Sequence, residues 1–114
     1  MSKRSDEAKI AFILEMIERI ETIVSRHGGI IEALEDCEGE LALYMAVSQI
    51  GESLQKLSND TLEAFSLLEE KQYAYATRNY IVHEYDGVDK YIIEEVIKTH
   101  LPQLKIKLLS FHIS

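Results

Sequence analysis

The chain has 114 residues, 46% of them hydrophobic, which is enough for one core and sets a single domain spanning residues 1–114 as the expectation. Its formal net charge of −8 argues against a protein that coats nucleic acid non-specifically, because attraction to phosphate normally needs a surplus of Lys and Arg. A lone Cys37 cannot close an intramolecular disulfide, and no Cys/His cluster has zinc spacing, so no metal site or cofactor is expected and a reducing cytoplasm is the simplest compartment.

From Ser5 or Asp6, the residues Ile10, Ile13, Leu14, Ile17, Ile20 and Val24 recur at three- and four-residue spacing, with Glu15, Glu18, Arg19 and Glu21 between them. This predicts one long amphipathic helix, and its interspersed charges exclude a membrane span or secretory signal. Gly28-Gly29 ends it, and Ile30 to Leu34 reads as a short helical turn. Leu41, Leu43, Tyr44, Val47, Ile50, Leu54 and Leu57 trace a second amphipathic helix that stops before Ser58-Asn59-Asp60. Ala42, Ala46 and Gly51 leave it small-sided, so another helix can approach closely.

Thr61 to Leu68 reads as a short helix or loop anchored by Leu62, Phe65 and Leu68. Lys71 to Tyr85 is the next predicted helix, broken at Gly87. Asp89 then caps a last helix through Tyr91, Ile92, Val96 and Ile97, which Pro102 kinks or ends before a tail carrying Lys105 and Lys107. No run alternates with period two over strand length. The expected fold is all-α, a bundle of four or five helices without internal repeats.

Residues 78–85, Arg-Asn-Tyr-Ile-Val-His-Glu-Tyr, are where the chain carries chemistry. Arg78 offers a permanent planar cation for phosphate, His83 gives and takes protons near neutral pH, and Tyr85 supplies a hydroxyl that can be hydrogen-bonded or modified. At about 100° per residue, Arg78 and Tyr85 would share a face of one helix, while Arg78 and His83 diverge by roughly 140°. One helix alone therefore makes a spread-out site, which pairing two such helices would gather.

The motif resembles the R-x-x-x-x-H-x-Y signature of the HEPN superfamily, and within it the HepT toxins of HepT/MntA toxin–antitoxin pairs. The resemblance extends to Gln49-Ile50-Gly51-Glu52 followed by Lys56-Leu57-Ser58, to Gly87-Val88-Asp89 and to Leu101-Pro102. It implies a dimeric HEPN-type bundle with the site at the homodimer interface and a metal-independent endoribonuclease that leaves a 2′,3′-cyclic phosphate. It assigns catalysis to Arg78 and His83 and a supporting role to Asn79. The implied partners are RNA and an MntA-like minimal nucleotidyltransferase, which transfers AMP from ATP to Tyr85 and so silences the toxin. The alternative within the superfamily is a non-catalytic HEPN subunit that binds nucleotide or substrate for such a nucleotidyltransferase; those relatives tend to lack an intact Arg/His motif.

Plainer roles stand beside these. Arg78 can be a surface ion-pair former, to Glu84 or to acids on the next helix, and His83 a half-buried, hydrogen-bonded residue. Tyr85 can be a packing residue, as Tyr73, Tyr75, Tyr80 and Tyr91 look to be. Glu52 reads as a solvated or salt-bridged carboxylate, and buried against the motif helix it could position Arg78. His27, His100 and His112 sit at expected helix ends, and none reads as a metal ligand.

Overall fold

The computed structural model describes residues 3–113, and side chains from 5 to 110; His112 lies outside the described side chains. Among these residues the fold is all-α, as the hydrophobic spacing predicts, and no helix is long and apolar enough to cross a membrane.

Helix α1 (Lys3–His27) buries Ile10, Ile13, Ile17 and Ile20, the stripe read from the sequence. It ends in a Schellman turn: Gly28 adopts φ 82°, its N–H donates to the Ser25 carbonyl, and the Gly29 N–H donates to the Val24 carbonyl. Helix α2 (Ile30–Glu35) is the predicted short turn. Asp36 then caps α3 (Cys37–Gln55), accepting the Gly39 N–H at 2.8 Å, and His27 from the end of α1 reaches the same carboxylate at 3.2 Å. Cys37 is exposed in the first turn of α3.

Ser58 caps α4 (Asn59–Ala64), which closes with a second Schellman pattern: Ser66 N–H to the Glu63 carbonyl and Leu67 N–H to that of Leu62. Here the left-handed position is held by Ser66 at φ 55°, a residue with a Cβ, and its carbonyl accepts from Lys107. The chain turns so that Leu67 is buried while Leu68, the expected anchor, is exposed.

Helix α5 (Leu68–His83) packs most extensively against α3. The approach is close because Gly51 has no side chain: a Cβ there would stand 2.7 Å from the Ala74 carbonyl oxygen and 3.1 Å from the Cβ of Arg78. After α5 comes a 3-10 turn (Tyr85–Gly87), and Asp89 caps α6 (Lys90–Glu95) as predicted. On α6 the burial falls on Ile93, whereas Tyr91 and Ile92 are exposed.

Pro102 neither ends the helix nor precedes a tail. A π turn (Val96–His100) comes before it, with the Leu101 N–H reaching back five residues to the Val96 carbonyl, and α7 (Leu101–Ile113) continues beyond. Pro102 has no N–H to donate, and its ring crowds the carbonyl four residues back; a widened turn relieves that crowding without breaking the helix. The Lys105 ammonium lies 3.0 Å from Glu21 and that of Lys107 2.6 Å from Glu70, so both tie α7 to the bundle.

One polar cluster lies inside the apolar core. Asp6, with no exposure, accepts hydrogen bonds from the Ser58 N–H at 3.2 Å, from the Ser58 hydroxyl and from the Thr61 hydroxyl at 2.6 Å. Burial acts to raise its pKa, but these hydrogen bonds and the nearby Lys9 outweigh it and leave the carboxyl below its ordinary range.

Candidate functional site

Arg78 lies in the last two turns of α5, opposite α3, in the place that Gly51 keeps open. Its guanidinium is held from two sides. The Nε–H donates to Glu52 Oε1 at 2.8 Å, and Nη1 donates to Asn79 Oδ1 at 2.9 Å. The Tyr75 ring centroid is 5.8 Å from the guanidinium carbon, within cation–π range. The ion-pair partner is therefore on the preceding long helix, not Glu84 or an acid further along the chain. Asn79, to which the resemblance assigns a supporting role, is engaged with Arg78.

Tyr85 is placed differently from the sequence reading. Helix α5 stops at His83, the Glu84 N–H closes it onto the Tyr80 carbonyl at 2.9 Å, and Tyr85 begins the 3-10 turn. It does not share a helical face with Arg78. The turn nevertheless carries it back toward α3, where its ring meets Tyr44 edge-on at 5.9 Å between centroids. Tyr80 steadies the following loop, its hydroxyl accepting the Asp89 N–H at 2.8 Å.

Arg78 and Tyr85 thus line one groove of about 380 Å³ between α3 and α5, with Glu52, Ser48 and Gln49 on its polar side. Leu41, Met45 and Val82 form its apolar side and are 55%, 61% and 51% exposed. Leu41 belongs to the predicted core stripe of α3, but the structure turns it outward into this groove. The Tyr44 hydroxyl has its pKa raised, first by burial and then by Glu40, Tyr80 and Tyr85, so it stays protonated as a neutral floor. His83 is exposed at the last position of α5 and is not part of the groove's lining. Within one chain, the structure brings Arg78, Asn79, Glu52 and Tyr85 together and leaves His83 apart.

A family model of HepT-like ribonucleases matches residues 13–110, which include the whole motif and both helices of the groove. The chain belongs to the HepT-like ribonuclease family. No curated protein and no solved structure matches it. Membership supports an RNA-cleaving toxin of HEPN type. The HepT-like chain departs from sequence expectation at Leu41, which reads as core and lines the groove beside the exposed Met45; Tyr44, of the same stripe, is buried as expected and floors the groove. The signal was present in Leu41 and Met45, which are four apart and so share one face of α3.

A second cavity, of about 180 Å³, lies between α5, the π turn and α7 and contains none of the motif residues. The Tyr73 and His100 rings stack at its wall, 3.9 Å between centroids. No group of three or more His, Cys, Asp or Glu among the described residues could hold a metal ion.

Proposed function

We propose that this HepT-like chain is the endoribonuclease toxin of a HepT/MntA-type pair, cutting RNA without a metal at a site that two copies build around Arg78 and His83. The observation that carries the reading is Arg78 itself, oriented beside an open groove in a chain whose family cleaves RNA. The exposed Leu41, Met45 and Val82 support the pairing, because an apolar rim around a polar centre suits an interface with a wet cleft. Pairing also supplies what one chain lacks, since His83 stands outside the groove that Arg78 lines.

RNA carries its own nucleophile. One His83 takes the proton from the 2′-hydroxyl as that oxygen attacks phosphorus, and the other His83 protonates the leaving 5′-oxygen. Arg78 binds the phosphate and stabilises the charge that gathers on it, leaving a 2′,3′-cyclic phosphate.

Tyr85 is the regulatory position in this reading. AMP transferred from ATP by a nucleotidyltransferase antitoxin would add a phosphate to the same groove as Arg78, where it could pair with the cation and fill the cleft.

The test is incubation of purified protein with RNA, with and without EDTA, beside the His83→Ala variant. Cleavage that persists in EDTA, yields cyclic phosphate ends and disappears in the variant is expected. Cleavage that requires a metal, or that survives in His83→Ala, refutes the mechanism. With the partner, ATP and magnesium, mass added at Tyr85 and a proportional fall in cleavage are expected; modification at Tyr80 or Tyr91 refutes the regulatory assignment.

A further inference from the structure

A guanidinium has five N–H donors, and how many remain for a ligand depends on what already holds it. Glu52 takes the Nε–H of Arg78 and Asn79 takes one hydrogen of Nη1, which leaves three, two of them on Nη2. The edge formed by Nε and Nη2 is thereby closed to a second anion. We infer that Glu52 is a positioning residue, fixing the rotation of Arg78 so that phosphate is met end-on by Nη2 and the free hydrogen of Nη1. The inference rests on the ribonuclease reading of the site and deepens it.

Three features favour a positioning role over a structural one. The ion pair is about one-third exposed on both sides, 31% for Arg78 and 32% for Glu52, so its contribution to stability is about 1 kcal/mol or less. Glu52 also follows Gly51 directly. The residue that lets α5 approach and the residue that grips Arg78 are neighbours, so the close packing of the helices sets the reach of the carboxylate. Finally, a negative charge 2.8 Å from Arg78 works against simple attraction of phosphate. What it can supply is orientation, which acts on turnover more than on binding.

The Nε hydrogen bond needs an acceptor oxygen but not a charge. Gln at position 52 retains that oxygen at the same reach; Ala removes it. The experiment measures RNA cleavage by the full chain carrying Glu52→Ala or Glu52→Gln, together with the Arg78 Nε–H resonance in proton–nitrogen NMR without RNA.

With Glu52→Ala, kcat is expected to fall about tenfold or more with KM changed less than about threefold, and Glu52→Gln to recover most of that loss. The Nε–H resonance should be protected from exchange in the parent and in Glu52→Gln, and lost in Glu52→Ala. Parental kcat in Glu52→Ala, equal losses in both variants, or a resonance indifferent to the substitution overturns the assignment. A parent that cleaves no RNA refutes the ribonuclease reading alone, because the resonance still decides whether Glu52 orients Arg78.

Discussion

Asp6 and Arg78 are both charged side chains withdrawn from bulk water, and they use their hydrogen-bonding capacity in opposite ways. Asp6 is fully buried and accepts from three donors on and before α4, joining the start of the chain to its middle. Arg78 is one-third exposed, is held by two acceptors that use two of its five N–H groups, and lines a groove. A charge whose partners are all internal contributes to stability, whereas one held in place but not satisfied is available to a ligand. Burial and the tally of unmet donors and acceptors separate the two in the same direction.

The largest expected effect comes from removing the unsatisfied cation. Arg78→Ala should lower RNA cleavage about a hundredfold or more, while thermal unfolding shifts by only about 1 kcal/mol. Matching losses of activity and stability would erase the contrast. Next in size is Asp6→Ala, which leaves the Ser58 and Thr61 donors without their acceptor and should cost about 2–3 kcal/mol in urea unfolding. Cleavage per folded molecule should be unchanged, and a variant that folds normally but cleaves poorly would show that the buried cluster reaches the site.

How far this division could be read in the sequence differs between its two halves. Arg78, His83 and Tyr85 stand out in the sequence because their residue types and order form a motif, and the groove brings Arg78 and Tyr85 together while leaving His83 outside. The all-α fold was legible from the spacing of Ile10, Ile13, Ile17 and Ile20. Asp6 read as a helix start, because a hydrogen bond to residues more than fifty positions away leaves no local pattern. Tyr85 read as helical because nothing in Glu84-Tyr85-Asp86 forbids a helix; the break at Gly87 begins two residues early. The outward turn of Leu41 depended on which side of α3 meets α5, and only tertiary packing decides that.

Smaller effects sharpen the comparison through pH. The Asp6 carboxyl lies below its ordinary value of 3.8 when folded, so its contribution is complete above that value and is lost as pH falls through the folded pKa. Asp6→Asn should flatten the acid limb of the stability profile, and an unchanged limb would place the acid sensitivity elsewhere. The smallest effect belongs to the more exposed His27. The Ile23 carbonyl and then Asp36 raise its pKa above 6.5, so its contribution is present below that pH and fades as pH rises through the folded value. His27→Gln should remove this shallow alkaline decline without touching the acid limb.

The π turn at Val96–His100 gives the end of the chain an unusual kind of evolutionary freedom. It holds one residue more than the α-helical turn it replaces, so everything beyond is rotated by about 100° relative to an uninterrupted helix from Lys90. Lys105 and Lys107, two residues apart and so on different sides of α7, meet Glu21 and Glu70 in the register this rotation supplies. A single-codon deletion within the turn would restore ordinary helical register and present a different set of residues to the bundle in one event. The same deletion in a surface loop would be absorbed; here it would exchange one face of the terminal helix for another.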